Sequence, residues 1–385
     1  MLLFLLSAEG FVRTVEGKTT LLVPESSLTD KVPSKTPAFF NPAAKQNRDL
    51  SVLAYKAYAP SLPSKTFADS LGGVGARALR VAVEVPSIEQ VYCNDINATA
   101  IAAAREAAQI NSVTDRCYFS VNEACRFLLK GTHEEERFGI ADLDPFGTPA
   151  RQVDCMLRAV IDGGLLSITA TDIAVLCGIY PEVCMRRYYG RPLNNSYGNE
   201  TAIRLLISLL ALTASRLELA IRPIFVHAAM HYLRVYATLA VSSSEANDVY
   251  KNIGYTMHCF KCGHRSKTME YDGTKKCDLC GASMSVGGQL WTGALHDTNF
   301  VGRILEQGPD RQSKKLLDAA AEERSDIPFY FRADEISSRM KTNPHSVQRI
   351  IEKLGATGFA ASRASLNPGA FKTDARLDQI LQALK

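Results

Sequence analysis

From Thr66 to Thr169 the chain alternates short apolar runs with helix-patterned stretches, and this alternation limits the possible folds more than any other feature. Residues 66–70, 90–95, 117–121, 138–144 and 164–169 read as five strands. Helical patterns fill the gaps over 76–85, over 98–110, up to Leu129 and over 151–161. Strands that alternate with helices of this length imply parallel pairing through helical crossovers, hence an α/β, doubly wound, Rossmann-like sheet. Such sheets bind ligands beyond the carboxyl ends of their strands, so the residues at those ends decide the chemistry.

The first of these strands runs into Asp69-x-x-Gly72-Gly73-Val74-Gly75, and the second ends at Asp95. Gly73 and Gly75 let the backbone turn sharply into a helix N-terminus and approach a ligand closely. Asp95 follows at the spacing that sets a carboxylate beside a ribose diol. The pattern Gly73-x-Gly75-x-x-Ala78 also satisfies the nicotinamide fingerprint, and a tight strand-to-helix turn with no ligand is a third reading. Three features favour S-adenosylmethionine. The strand is not the first element of the chain, acidic Asp69 precedes the glycines, and a distinctive turn ends the fourth strand.

That turn is Asp142-Leu143-Asp144-Pro145-Phe146-Gly147. An exocyclic amine of a nucleobase is a poor nucleophile because its lone pair is delocalised into the ring. A carboxylate and a backbone carbonyl hold its two hydrogens and aim the lone pair at a methyl donor, while a planar side chain clamps the base by stacking. Asp144 and Phe146 suit those two tasks. The same residues also read as a strand ending in an Asx-Pro turn with a buried Phe.

Cys259-x-x-Cys262 and Cys277-x-x-Cys280 are separated by fourteen residues, each followed by glycine as in a zinc knuckle. Four thiolates close a tetrahedral site with no open position, so a structural Zn2+ is expected. His258 and His264 are alternative ligands. The other six cysteines lie mostly on apolar segments and read as inert core thiols.

Outside the sheet, the pattern is coarser. Met1 to Leu6 reads as a first strand, and 48–58 as a helix. Arg48 is a candidate bidentate anchor for a cofactor carboxylate; a solvated Arg48–Asp49 pair on that helix is the other reading. Residues 201–219 form a long helix pattern, followed by strand-like runs at 223–229 and 232–241. The chain is expected to divide into a catalytic domain, 1–235, and an α+β domain, 236–385. The latter would carry the knuckle at 259–280 and a winged-helix-like end at 328–385, where Asp334 caps one helix and Pro344 opens the next. The net charge of +4 permits nucleic-acid binding without arguing for it. Arg186, Arg187, Arg191, Lys314, Lys315, Arg349, Arg363 and Lys372 are candidates for phosphate contact, and 184–189 mixes basic with aromatic residues. No apolar run reaches the ~20 residues that span a bilayer. Ten cysteines without a leader-like start fit a cytoplasmic, reducing setting better than a disulfide scaffold. No obligate protein partner is evident.

Taken together, Asn41-Pro42, Asn47-Arg48-Asp49, the Asp-x-Asp-Pro-Phe-Gly turn and the run Ala361-Ser362-Arg363 to Phe371-Lys372-Thr373 make the chain resemble the tRNA guanine-N2 dimethyltransferases. Thr171-Asp172, Cys184 to Gly190 and His231-Tyr232-Leu233-Arg234-Val235 extend the resemblance over nearly the whole length. It departs at Gly72-Gly73, Asn199-Glu200 and Met230, where the family often has Ser-Gly, His-Glu and an acidic residue. The resemblance implies a class I methyltransferase acting on N2 of guanine 26 of tRNA, and of guanine 27 in some relatives. It further implies that Arg48, Arg77, Asp95, Glu123 and Ala124 contact S-adenosylmethionine, that Asp144 holds the guanine amino group, and that Phe146 stacks on it. An amino-methyltransferase for another base of RNA or DNA, and a non-catalytic RNA-binding protein on the same fold, are the alternatives the residues themselves leave open. A nicotinamide oxidoreductase is a third.

Overall fold

The computed structural model describes residues 10–131, 137–229, 231–271, 273 and 275–385. The expected strand at Met1–Leu6 lies outside them. The chain forms two compact units: 1–144 with 154–167 and 306–313, and 145–153 with 168–305 and 314–385.

In the first unit, an antiparallel hairpin of β1 (Phe11–Glu16) and β2 (Thr19–Pro24) leads through the one-turn α1 (Ser26–Thr29) to α2 (Lys45–Tyr58). There follow β3 (Thr66–Asp69), α3 (Ala76–Glu84), β4 (Gln90–Asp95), α4 (Ala98–Ile110), β5 (Cys117–Val121), α5 (Ala124–Leu128), β6 (Phe138–Leu143), α6 (Val153–Arg158) and β7 (Val160–Ala170), of which Val153 and the last three residues of β7 count with the second unit. The second unit continues with α7 (Ile173–Leu176), α8 (Pro181–Tyr188), α9 (Gly198–Ser215), β8 (Leu219–Ala229) and β9 (Tyr232–Val241). The sheet order is β5-β4-β3-β6-β7-β9-β8. β3 pairs in parallel with β4 and β6, β4 in parallel with β5, and β8 with β9 antiparallel. This is the doubly wound α/β architecture expected from the alternation. The central strands are buried on both faces, which is why they read as continuous apolar runs.

Two helix ends and one cysteine pair depart from expectation; the helix expected over 201–219 ends at Ser215, and Leu219 already begins β8. The helix expected over 151–161 is only α6, because Val160 already enters β7, whose β-branched start overrides the helical pattern. Cys125 and Cys155, expected to be free core thiols, are joined as a disulfide. Their helices set the Cα atoms 5.4 Å apart, within bridging range, although 30 residues separate them.

Beyond β9 come α10 (Ser243–Asn247), β10 (Ile253–His258), β11 (Arg265–Thr268), β12 (Ser285–Trp291), α11 (Thr298–Leu305) and α12 (Arg311–Glu322). β10 is the middle strand of its sheet, in the order β11-β10-β12. The chain ends with β13 (Phe331–Arg332), α13 (Ala333–Met340), α14 (Val347–Ala356), β14 (Ala361–Arg363), β15 (Ala370–Thr373) and α15 (Leu377–Ala383). Two helices followed by an antiparallel strand pair match the winged-helix pattern, around a core that includes Ile336, Ile350, Leu354, Phe371 and Ile380. The caps are not those expected. Asp334 lies inside the first turn of α13, and Ser346 caps α14 by accepting from Arg349 N at 3.2 Å. Serine supplies the oxygen that a proline two residues earlier cannot.

Lys372 is not a phosphate contact. It is 1% exposed and lies 3.0 Å from Glu200 and 2.6 Å from Glu323. Glu200 also pairs with Arg204 and accepts from the backbone N–H groups of Phe329 and Tyr330. The C-terminal segment is therefore wired by buried charge to α9, within the same unit.

Candidate functional site

Parallel register brings the strand ends of the first unit together. Asp69 pairs with Cys93 in β4 and with Asp142 in β6, so three acidic strand ends stand side by side at the carboxyl edge: Asp69, Asp95 and the Asp142–Asp144 pair. The glycine turn leaves β3 there. Gly73 and Gly75 have φ of +54° and +76°, a region that disfavours any side chain, and Gly75 starts α3. Asp95 ties the turn to β4: its Oδ2 accepts from Gly73 N at 2.8 Å and its Oδ1 from Asn97 N at 2.9 Å. Buried Asn94 bridges the same loops, donating to the carbonyls of Ser70 and Asn122 and accepting from Asn122 N. The result is a preformed cradle of backbone amides and one carboxylate at a helix N-terminus, suited to a ribose and an amino-acid-like tail.

Glu123 is exposed and caps α5, its Oε2 accepting from Arg126 N at 2.9 Å; Ala124 is buried behind it. Exposed Ile96, next to Asp95, presents an apolar side chain at the same edge and was not singled out from the sequence.

Arg77 organises the acids. Its Nη1 donates to Asp142 Oδ1 at 2.9 Å and its Nη2 to Asp144 Oδ2 at 2.8 Å and to Asn47 Oδ1 at 3.1 Å. Asp142 is wholly buried and also takes a hydrogen bond from Tyr55. Burial first, and the Asp142 carboxylate second, push Asp69 up to about 7 against the pull of Arg77. Asp144 keeps a quarter of its side chain open, at 27%. The arrangement therefore offers one accessible carboxylate, oriented by a buried cation.

Arg48 is neither solvated nor paired with Asp49. It forms a two-pronged bond to Glu16 of the N-terminal hairpin, at 2.7 and 2.6 Å, and donates to Asn41 O. Asp49 pairs with Arg80 and Lys45 instead. Glu16 lies 32 residues from Arg48, so local spacing gave no sign of this pair.

The second unit begins within the turn, directly after Asp144. Phe146 is 60% exposed, so the reading of a buried aromatic fails. Gly147 N donates to Thr171 Oγ1 at 2.7 Å, and Thr171 N donates to Gly147 O at 2.8 Å, which fixes the far side of the turn to the end of β7.

Elsewhere in that unit, Cys259, Cys262, Cys277 and Cys280 bring their sulfurs within 4.8 Å of one another. Two pairs stand 3.5 Å apart, close to the ~3.8 Å edge of a tetrahedron with ~2.3 Å metal–sulfur bonds. Gly263 N to Cys259 O and Gly281 N to Cys277 O close two matching knuckles. His258 and His264 are not members of this cluster, the one such group among the described residues. The donor set fits one thiophilic metal ion with no open position. No helix among the described residues is long and apolar enough to cross a membrane.

Residues 17–385 match the family model of N2,N2-dimethylguanosine tRNA methyltransferases. The chain is 33% identical to the tRNA (guanine(26)-N(2))-dimethyltransferase of Methanothermobacter thermautotrophicus, over 96% of this chain and 97% of that protein. It is 32% identical to the tRNA (guanine(26)-N(2)/guanine(27)-N(2))-dimethyltransferase of Aquifex aeolicus, over 96% and 95%. Among solved structures, Trm1 from Pyrococcus horikoshii with S-adenosyl-L-methionine superposes with a TM-score of 0.84 and 26% identity, covering 97% of this chain and 99% of that one.

Proposed function

The chain belongs to the N2,N2-dimethylguanosine tRNA methyltransferase family, and we propose that it transfers one or two methyl groups from S-adenosylmethionine to the exocyclic N2 of guanine 26 of tRNA. The observation that carries this reading is the Arg77-held Asp144 carboxylate beside a glycine cradle closed by Asp95. In this reading Arg48, Asp69, Gly73, Gly75, Arg77, Asp95, Glu123 and Ala124 form the cofactor site, Arg48 being held by Glu16 and Arg77 by Asp142 and Asp144. S-adenosylmethionine supplies an electrophilic methyl group when bound. Asp144 accepts a hydrogen bond from the N2 amino group and turns its lone pair toward that methyl. As the C–N bond forms and the C–S bond breaks, N2 gives up a proton, and Asp144 is the base placed to take it. Phe146, exposed in the turn, stacks on the guanine after it leaves its own stack, a step that costs a few kcal/mol.

Residues 1–235 carry the chemistry and 236–385 grip the tRNA by shape and phosphate contacts. The four-cysteine cluster holds a structural Zn2+ there, and the enzyme works in the cytoplasm. The test is mass spectrometry of nucleosides from unmodified tRNA incubated with enzyme and methyl-labelled cofactor. Label on N2 of guanine 26 is expected, and Asp144→Ala should lose at least ~100-fold in rate while still binding cofactor. Label on another base or none, or near-normal turnover by that variant, overturns the assignment.

A further inference from the structure

The methyl-transfer site leaves one feature of the second unit unused. The segment spanning α7 and α8 is bolted to the catalytic turn. Thr148 Oγ1 lies 2.8 Å from Tyr188 Oη, Tyr188 donates to Asp172 Oδ1 at 2.6 Å, and Arg187 Nη1 donates to Asp172 Oδ2 at 3.1 Å. Yet this anchored segment turns large apolar and aromatic side chains outward. Ile179, Tyr180, Met185 and Tyr189 are all exposed, Tyr189 to 65%. Over residues 179–191 the exposed charges are Glu182 against Arg186 and Arg191, a cationic balance.

Tyr189 is the unusual member. It ends α8 with φ +55° and ψ +18°, a left-handed conformation that a bulky L-residue adopts only when its surroundings over-determine it. Those surroundings are visible. Tyr189 N donates to Met185 O at 3.1 Å. A Cβ on Gly190 would come within 2.4 Å of Gln289 O, so the chain is pressed against β12 there. Arg191 and Gly288 exchange backbone hydrogen bonds of 2.6 and 2.8 Å. The backbone is thus clamped on both sides of a ring that stands in solvent, and packing gives no reason for an aromatic at this position.

We propose that Tyr189 is a stacking platform for the tRNA base next to the target guanine, with Arg186 and Arg191 taking the adjoining phosphates. The proposal rests on the tRNA-methylating reading above. Extruding a guanine bares the face of its neighbour. An aromatic ring with basic residues beside it suits such an unstacked base and its backbone, and the segment that carries it continues directly from the catalytic turn through Thr148 and Thr171. With its backbone already fixed on both sides, only the side-chain torsions of Tyr189 remain to be ordered when that base binds.

Two variants test it. Tyr189→Asn removes the ring but keeps a residue tolerant of left-handed backbone, so folding is preserved. Tyr189→Phe keeps the ring. The Asn variant should bind tRNA ~10- to 100-fold more weakly than wild type, with S-adenosylmethionine affinity unchanged, and the Phe variant should restore tRNA binding. A tRNA with 2-aminopurine beside the target guanine should lose fluorescence on binding wild type and Tyr189→Phe, but not Tyr189→Asn. Unchanged tRNA affinity and equal quenching with the Asn variant overturn the proposal. So does a change in oligomeric state with tRNA binding intact, which would make the patch a protein interface. Wild-type enzyme that methylates no tRNA refutes the functional reading, and this proposal with it; wild-type methylation beside an unaffected Asn variant refutes the stacking alone.

Discussion

Arg77 donates to the Asp144 carboxylate across 2.8 Å while the other arm of the same guanidinium holds Asp142 at 2.9 Å. The carboxylate assigned to the guanine amino group is therefore aimed by a buried cation on α3 and not by its turn alone. Lysine carries the charge but lacks the planar fork that reaches both acids. Arg77→Lys should lower the single-turnover rate ~10- to 100-fold at saturating substrates, with tRNA affinity unchanged. Arg77→Met should cost about 3–5 kcal/mol of stability, because it strands buried Asp142 beside Asp69. Rapid-quench kinetics and denaturant titration read the two effects, and a fully active, fully stable Lys variant would show that Asp144 needs no such support.

Asp95 closes the glycine turn through Gly73 N. Replacing it with alanine loosens the cradle and removes the acceptor proposed for the cofactor. Asp95→Ala should weaken S-adenosylmethionine binding by about 1.5–3 kcal/mol, the range for charge-assisted hydrogen bonds, with little change in tRNA affinity. Calorimetry that finds the same cofactor dissociation constant takes Asp95 out of the site.

One metal ion per chain is expected at the four cysteines. Cys262 and Leu279 pack both against the knuckle core and against the winged-helix core. Removing the metal should therefore loosen the C-terminal segment, as increased amide exchange over 331–380, before the parallel strands respond. Purified protein with no zinc, iron or cobalt by elemental analysis contradicts the assignment.

Acid should act on the two units with opposite sign. For Glu200, burial raises the pKa, but Lys372, Arg204 and two backbone donors outweigh it and bring it to about 2, below the usual 4.5. Its contribution is present above pH 4.5 and is lost as pH falls toward 2. Burial lowers His296 from 6.5 to about 4, so the unfolded chain takes up that proton first and stability falls between pH 6.5 and 4. Asp69, raised to about 7 from 3.8, works the other way: the folded form binds the proton more tightly, so its penalty eases as pH falls through 7. Thermal melts from pH 7 to pH 3 should fall in midpoint, with exchange in α9 and β15 rising first. Asp69→Asn should raise the midpoint most at pH 8. A melt insensitive to pH over this range would mean the Glu200–Lys372–Glu323 cluster is not buried as described.

The sequence by itself determined the local chemistry: the alternation that builds the sheet, the glycine turn, Asp95 at its fixed distance along the chain, the Asp-x-Asp-Pro-Phe-Gly turn and the two cysteine pairs. Each is a short-range pattern whose backbone demands, such as positive φ at Gly73 and Gly75, are written in neighbouring residues. Tertiary structure alone decided which charges meet. Arg48 found Glu16, Arg77 found Asp142 and Asp144, Lys372 turned inward to Glu200 and Glu323, and Cys125 met Cys155. These pairings join residues some 30 to 170 positions apart. A buried charge must take whichever partner the packed helices and strands bring to it, because an unpaired one costs several kcal/mol, and no periodicity along the chain encodes that choice.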